Sequence, residues 1–340
     1  MTDARILTGD ARVALADLPA ESVQMCVTSP PYMGLRDYQH PQQIGLESTL
    51  REYVDALVDI FELVRRVLRS DGTLWLNLGD SYAGSRGAQS REHAGKHAPN
   101  VSALSANQVK AAINRAHTGS LSRTPGLKPK DLMGIPWRVA FSLQDAGWWL
   151  RRDIIWEKPN PLPESVTDRP TTAHEYVFLL SKSRRYHFDA AAIAEPLRRG
   201  SRDPLSDGYG RVTPPGTSKR SGNKIRRPRP GPAGDSRHQH GSVPWEGVTR
   251  NARSVWTFPT ARFDEAHFAT FPPELPRRCI LAGSRPGDLV LDPFSGAATT
   301  GVVALELGRR YLGVELNPAY VAMSERRLAG VTLGLPLEAA

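Results

Sequence analysis

The sequence contains little cysteine, no long apolar run and no internal repeat. Cys26 and Cys279 are the two cysteines among 340 residues, which excludes a disulfide framework and a cysteine-rich zinc site and fits a reducing compartment. No apolar stretch reaches the roughly 18 residues that a membrane-spanning helix needs. The first residues, MTDARILTGD, are acidic and polar where a signal peptide requires a basic start and an apolar run. We therefore expect a cytoplasmic protein.

The positive charge is concentrated in two segments. The formal net charge is +9. Residues 196–262 contain 14 Lys and Arg against 4 Asp and Glu, and residues 83–130 contain 8 against 1, which leaves the rest at −8. Lys and Arg displace condensed counterions from phosphates, so these segments favour a polyanion partner, with solvated surface loops as the alternative. Residues 83–130 and 200–253 are rich in Gly, Pro, Ser and Arg and are predicted to be long loops.

Elsewhere, short apolar runs alternate with helical periodicity. A helix is predicted from Leu50 to Leu68, closed by Gly72. Further helices are predicted at Trp137–Asp145, Thr299–Leu307 and Ala319–Leu328. The pattern predicts a doubly wound, mostly parallel α/β sheet with helices on both faces, interrupted by the two basic segments. Runs typical of buried parallel strands are Val23–Thr28, Thr73–Leu78, Asp153–Trp156, Tyr176–Leu180, Asp288–Leu291 and Tyr311–Glu315.

One motif near the C-terminus indicates a nucleoside-containing ligand. The predicted strand that ends at Leu291 runs into DPFSGAATTG, a turn of small residues before a helix. Such a turn lets a ligand approach backbone N–H groups at the carboxyl edge of the sheet. Glu315 ends the next strand, where an acidic side chain suits a pair of ribose hydroxyls. An ordinary α/β turn with a surface glutamate is the alternative.

A second motif, Thr28-Ser29-Pro30-Pro31-Tyr32, follows the strand Val23–Thr28. Two consecutive prolines remove two donors and fix φ, so the chain leaves the sheet in a rigid shape. The Ser29 hydroxyl and the Pro30 carbonyl offer acceptors to an amino group on a planar heterocycle, and an exposed Tyr32 ring offers a stacking surface. This combination suits an extruded nucleobase. A plain sheet exit, with Tyr32 packed in the core, is the alternative.

These two motifs in this order resemble the permuted DNA amino-methyltransferases that use S-adenosylmethionine, in which the catalytic motif precedes the cofactor motif. The resemblance covers nearly the whole chain except the basic segments. A serine before Pro-Pro-Tyr, here Ser29, is similar to the motif of the branch that methylates N4 of cytosine, although some adenine-N6 enzymes share it. The matching stretches are TSPPYMGLRDY, DPFSGAATTG, LTGDA (Leu7–Ala11), LWLNLGDSY (Leu74–Tyr82), Asp153–Ser183 and His267–Ser284.

The resemblance implies roles for particular residues and for larger segments. The implied catalytic tetrad is Ser29, Pro30, Pro31 and Tyr32. The implied cofactor-binding residues are Asp10, Phe271, Pro272, Asp292, Phe294, Gly296, Thr299, Glu315 and Asn317. Where many members have Ser-Gly-Thr-Thr after a glycine of the cofactor loop, this chain has Ala297 and Ala298. The implied segments are a catalytic half (1–82), a basic insertion (83–130), a core continuation (131–189), a DNA target-recognition region (190–262) and a cofactor half (263–340).

The implied reaction is methylation of a flipped base in double-stranded DNA by a bacterial, archaeal or phage-encoded enzyme. A cognate restriction endonuclease is a second partner that this implies. Arg226, Arg227 and Arg229 are available to phosphates or guanines. A ring-carbon methyltransferase would need a nucleophilic cysteine, whereas both cysteines here are predicted to be buried packing thiols. The remaining alternative is a non-catalytic DNA-binding relic, which two intact motifs disfavour.

Weaker candidates surround the second motif. Asn77 and Asp80 are predicted at the end of a strand that faces the pocket, where they could orient Ser29 or the base. Helix capping or a turn is the alternative role for each. Trp156, Lys158 and Asn160 line the base pocket or pack between sheet and helix. The nine histidines show no metal-ligand spacing with Cys or carboxylates, so no metal is predicted.

Overall fold

The structure is a computed structural model that describes residues 3–34, 40, 42–83, 126–196, 249–260 and 271–331. Residues 1–193 with 253–340 form one compact unit, and residues 194–252 form a second. The strands are β1 (Ala4–Thr8), β2 (Val23–Thr28), β3 (Leu68–Leu78), β4 (Trp149–Glu157), β5 (His174–Ser181), β6 (Glu195–Pro196), β7 (Thr249–Arg250), β8 (Val255–Thr257), β9 (Leu289–Asp292) and β10 (Arg310–Glu315). The helices are α1 (Ala11–Ala16), α2 (Leu50–Val67), α3 (Ile135–Asp145), α4 (Glu274–Gly283), α5 (Thr299–Glu306) and α6 (Pro318–Ala329).

Eight strands of the first unit form one sheet in the order β1-β10-β9-β2-β3-β5-β4-β8. Every pair is parallel except those that β5 makes with β3 and β4. Helices α1, α2 and α3 pack on one face, and α4, α5 and α6 pack on the other. The predicted doubly wound, mostly parallel α/β fold is therefore confirmed. None of the helices in the described ranges is long and apolar enough to cross a membrane.

The prediction that Tyr176–Leu180 is a parallel strand was wrong. This segment lies in β5, which pairs antiparallel with β3 so that Leu78 stands opposite Tyr176. The cause is the connection from β4: residues 158–173 contain four prolines and no helix, and a parallel return normally needs a helical crossover. The amino end of β5 therefore lies at the edge of the sheet where β3 ends.

Helix α2 ends earlier than predicted. Thr49 caps its first turn by a capping box with Glu52. The helix stops at Val67, and Leu68 already has extended backbone at ψ 141° and begins β3. Gly72 lies inside that strand, where a Cβ would stand 2.9 Å from the Gln24 carbonyl, so close packing rather than helix termination requires glycine there. The other three predicted helices are confirmed to within about two residues at their ends.

Two apolar clusters fill the space on the two faces of the sheet. The larger contains Phe61 and other α2 side chains packed against β2, β3 and β5. The smaller contains Trp75 and Trp256 with residues of α4 and α5. Cys26 belongs to the first cluster and Cys279 to the second, and both are buried free thiols, as predicted. Burial raises the pKa of both thiols well above the ordinary value.

The second unit is described only at its two ends. Strands β6 and β7 pair antiparallel, with Glu195 opposite Arg250. The two side chains also form an ion pair at 3.1 Å. The predicted DNA-binding residues Arg226, Arg227 and Arg229 lie outside the described residues.

Candidate active site

A cleft opens where the carboxyl ends of β1, β2, β9 and β10 meet. Its volume is about 130 Å³. The register of the sheet builds it, since Thr8 pairs with Glu315 and Gly313 with Asp292. Ten of the predicted site residues line it: Asp10, Ser29, Pro31, Phe271, Asp292, Phe294, Gly296, Thr299, Glu315 and Asn317. Pro30, Tyr32 and Pro272 lie outside the lining. His40, Gln43, Ile44 and Tyr320 also line the cleft and were not predicted.

Asp292 ties the two motifs together at the bottom of the cleft. Its Oδ1 accepts hydrogen bonds from Thr28 Oγ1 at 2.6 Å and Phe294 N at 3.1 Å, and its Oδ2 accepts one from Thr300 Oγ1 at 2.9 Å. The side chain is buried, and burial raises its pKa from 3.8 to about 6 against the opposing effect of these three donors. The strand that carries the proline motif is thus bonded directly to the strand that carries the glycine turn.

Glu315 organises the glycine turn. Its Oε2 accepts from Gly296 N at 2.9 Å, and its Oε1 accepts from Asn317 N at 2.8 Å. Gly296 has φ of +50°, a conformation that favours glycine, and the turn leads into α5. Burial raises the pKa of Glu315, while the two backbone donors lower it. Each carboxylate oxygen keeps a second lone pair for a ligand in the cleft.

Asp10 and Asn317 are helix caps as well as cleft residues. Asp10 precedes α1 and accepts a hydrogen bond from Arg12 N at 2.8 Å. Its carboxylate also pairs with the Arg12 guanidinium, which lowers the pKa of Asp10. Asn317 precedes α6 and accepts from Ala319 N at 3.0 Å. Both side chains are therefore held in fixed positions before any ligand arrives.

The proline corner presents Ser29 and Pro31 to the cleft, while Pro30 is buried. The hydroxyl of Tyr53 donates to the Pro31 carbonyl at 2.9 Å and fixes the corner to α2. The prediction of an exposed Tyr32 ring was wrong. The Tyr32 ring is partly buried and lies so close to Gly79 that a Cβ there would stand 2.7 Å from Tyr32 Cε2.

The Tyr32 hydroxyl enters a polar cluster behind the corner. It donates to Glu175 Oε2 at 2.7 Å and receives a hydrogen bond from Ser29 Oγ at 3.3 Å. Asn77 Nδ2 donates to the same Glu175 oxygen at 3.0 Å, and Lys158 forms an ion pair with the other oxygen. Burial, and next the charge of Glu175, raise the pKa of Tyr32 well above its ordinary value. Glu175 was not predicted, because it reaches this edge only through the antiparallel direction of β5.

Other weak candidates have structural roles. Asp80 Oδ1 accepts from Ser81 N at 2.8 Å and from Ile135 N at 3.1 Å, so it holds the start of α3, and burial raises its pKa. Trp156 stacks on Phe258 at 5.6 Å. The Asn160 amide exchanges hydrogen bonds with Thr260 at 3.1–3.2 Å. For these three residues the structure favours the alternative of packing or turn formation.

Fold and cleft together define a doubly wound α/β protein. Its cleft is lined by a glycine turn, by an acidic residue, Glu315, that is hydrogen-bonded to this turn, and by a proline corner. Comparison with known proteins makes this class specific. Residues 23–326 match the family model of N6/N4-type DNA methylases. The Type II methyltransferase M.Cfr9I of Citrobacter freundii is 44% identical over 331 residues, which cover 97% of this chain and 89% of that protein.

Two solved structures share the fold. The cytosine-N4-specific PvuII DNA methyltransferase superposes with a TM-score of 0.58 at 20% identity, covering 96% of this chain and 86% of its own. TTHA0409 of Thermus thermophilus, solved with S-adenosyl-L-methionine, gives a TM-score of 0.55 at 23% identity, covering 98% of this chain and 96% of its own. The chain belongs to the N6/N4 DNA methylase family, whose members depend on S-adenosylmethionine.

Proposed function

We propose that this protein transfers a methyl group from S-adenosylmethionine to the exocyclic N4 amine of cytosine in double-stranded DNA, after the base has been flipped out of the duplex. One observation carries the proposal: the proline corner and the glycine turn face a single cleft and are joined by the 2.6 Å hydrogen bond from Thr28 to Asp292. Methyl donor and acceptor base would therefore be held by two joined walls of one cleft.

The residues of the cleft fit the cofactor. The open turn at Gly296 admits a ligand to the backbone, and Glu315 keeps free lone pairs suited to two ribose hydroxyls. Asp10, Phe271 and Asn317 would hold the adenine end, and Asp292, Phe294 and Thr299 would surround the methionine end. When bound, S-adenosylmethionine supplies an electrophilic methyl group, so that an amine forms the N–C bond while the C–S bond breaks and leaves its electron pair on sulfur.

Ser29 and Pro30 would hold the target amine. The lone pair of an exocyclic amine is conjugated into the ring, so the amine is a weak nucleophile. Acceptors at the Ser29 hydroxyl and the Pro30 carbonyl favour a pyramidal nitrogen and stabilise its developing positive charge. This chemistry forms no covalent bond between enzyme and base, which agrees with the burial of both cysteines. Extrusion of the base costs a few kcal/mol, which pocket contacts and phosphate contacts would offset.

Cytosine N4 is proposed over adenine N6 because the tetrad begins with Ser29. The N6 amine of adenine, which offers the same pattern of donors, is the alternative substrate. The two basic segments would bind the phosphates of the duplex, and Arg226, Arg227 and Arg229 would contribute to that surface. Removal of most of residues 200–253 should then abolish DNA binding and its salt dependence while the affinity for S-adenosylmethionine is kept.

Product analysis tests the proposal. The protein is incubated with plasmid DNA and S-adenosylmethionine, the DNA is digested to nucleosides, and methylated species are identified by mass spectrometry. We expect N4-methylcytosine. N6-methyladenine alone would move the activity to the alternative substrate, and no methylation of any DNA would support the non-catalytic relic.

Two variants test whether Ser29 and Tyr32 of the implied tetrad act on the target base rather than on the cofactor. Ser29→Ala and Tyr32→Ala should remove most of the activity and leave cofactor affinity, measured by calorimetry, close to wild type. Arg51→Ala, which removes an exposed side chain on α2, is the control. Loss of cofactor binding in either tetrad variant would contradict the assigned roles.

A further inference from the structure

A directed chain of hydrogen bonds leads from the cleft wall to Glu175. Ser29, which lines the cleft, donates to the Tyr32 hydroxyl at 3.3 Å. The Tyr32 hydroxyl has one proton, and its nearest acceptor is Glu175 Oε2 at 2.7 Å, against 3.4 Å to Asn77 Oδ1. The chain therefore runs from one hydroxyl to a second hydroxyl and ends on a carboxylate.

The surroundings fix Glu175 as the acceptor at the end of this chain. Asn77 Nδ2 donates hydrogen bonds to Glu175 Oε2 at 3.0 Å and to the Tyr176 carbonyl at 3.1 Å, which uses both of its protons. Lys158 forms an ion pair with Glu175 Oε1 and has only protons to donate. Tyr32, Asn77 and Lys158 all direct protons toward the Glu175 carboxylate. Its side chain is 16% exposed, which leaves a path for a proton to reach solvent.

The acidic side chains that line the cleft lie outside this chain of hydrogen bonds. Asp10, Asp292 and Glu315 each accept at least two hydrogen bonds from neighbouring protein groups. In the described part of the chain, none of the three accepts a hydrogen bond from Ser29. Glu175 is the carboxylate that the Ser29 hydroxyl reaches through a single intervening group.

We propose that Ser29, Tyr32 and Glu175 form a proton relay that removes the excess proton of the methylated amine. This inference rests on the proposed function. Positive charge develops on the nitrogen as the N–C bond forms, and the proton leaves in the same step, so the relay lowers the barrier to methyl transfer. That nitrogen gives one proton to Ser29 Oγ, Ser29 gives its own proton to the Tyr32 oxygen, and Tyr32 gives its own proton to Glu175. The base ends neutral, both hydroxyls are restored, and Glu175 becomes a carboxylic acid that releases its proton to solvent.

Single-turnover kinetics test the relay. Glu175→Gln keeps the side-chain shape and removes the basic carboxylate that would take up the proton, and Tyr32→Phe keeps the ring and removes the hydroxyl. Each should lower the rate of methyl transfer about 100-fold, the size of a general-base contribution. The affinities for S-adenosylmethionine and for DNA should stay within about twofold of wild type. Glu306→Gln, which breaks a remote ion pair with Arg277, should leave the rate unchanged.

The double variant separates a relay from two independent structural roles. Once Tyr32→Phe has cut the chain, Glu175 receives no proton, so Tyr32→Phe with Glu175→Gln should be no slower than Tyr32→Phe alone. Rate losses that multiply in the double variant would overturn the relay. Wild-type rates in both single variants would overturn it as well.

Chemical rescue gives a readout that a positioning role would not produce. In Glu175→Ala, added chloroacetate, formate and acetate should restore activity, with rate constants that rise with the basicity of the carboxylate. Rescue that is absent, or independent of basicity, would contradict the relay. The cofactor affinity of this variant checks that it is folded. If wild-type protein forms no methylated base, the proposed function fails. If wild-type protein methylates DNA and the variants do so at the same rate, the relay alone fails.

Discussion

The buried carboxyl of Asp292 makes the stability of this protein depend on pH in a way that one substitution should remove. Burial raises the pKa of Asp292 from 3.8 to about 6. A folded-state pKa above the unfolded value means that the folded protein binds more protons between these two pH values. The free energy of unfolding therefore decreases as the pH rises from about 4 to about 6, and above that range the contribution of this group no longer changes with pH.

The magnitude follows from the difference of about 2 between the two pKa values, which corresponds to about 3 kcal/mol. Asp292→Asn removes the titrating group while the acceptor for Thr28 and Phe294 is kept. Relative to wild type, the variant should gain about 2–3 kcal/mol of stability between pH 4 and pH 7.5. The quantity compared is the difference in free energy of unfolding between variant and wild type. The contributions of other titrating groups are the same in both proteins and cancel.

Urea unfolding followed by tryptophan fluorescence measures the difference, because the buried Trp75 and Trp148 report on the two faces of the sheet. Wild type and Asp292→Asn are compared at pH 4, 5, 6 and 7.5. Asp153→Asn, at a partly exposed position of β4, controls for the chemical change itself. Stability curves for wild type and Asp292→Asn that stay parallel across this range would refute the reasoning.

Three further predictions concern the cleft and its support. Glu315→Ala removes an acceptor of two backbone N–H groups and should raise the Kd for S-adenosylmethionine about 10- to 100-fold by calorimetry, since hydrogen bonds to a charged group contribute about 1.5–3 kcal/mol; an unchanged Kd would contradict its role. Gly79→Ala places a Cβ 2.7 Å from Tyr32 Cε2 and should lower the methyl-transfer rate with cofactor affinity kept, whereas wild-type kinetics would show that the ring position is unimportant. Gly301→Ala places a Cβ 2.5 Å from Tyr311 Cε1 and should destabilise the fold by about 1–3 kcal/mol in urea unfolding; full stability would mean that the ring moves freely.

The sequence predicted the cleft better than the cluster behind it. Asp292 and Glu315 are the last residues of the strands β9 and β10, so their place at the carboxyl edge follows from strand direction alone. Glu175 could not be placed this way, because nothing within β5 itself records its direction. The direction of β5 depends on the segment that connects it to β4, which contains four prolines and no helix. Local periodicity within β5 does not determine this direction.

Side-chain orientation was the second point that local pattern did not determine. Consecutive prolines predicted a rigid corner, and the corner is present. Whether Tyr32 points outward or inward depends on Gly79 and Asn77, about 45 residues further along the chain, which provide the space and the hydrogen-bond partner. Short elements were missed for a different reason: β1, α1 and β8 have three to six residues each, too few to show a period.

The order of strands in the sheet also affects how the protein is made on the ribosome. Among the described strands, β1 pairs only with β10, and β2 meets β9 through groups 264 residues apart. Until translation has passed residue 315, the nascent chain exposes both strands with unpaired edges, the feature that chaperones bind and that drives aggregation. The cleft therefore cannot be complete before β9 and β10 have been synthesised, and a chain released early carries the proline corner without the opposite wall of the cleft.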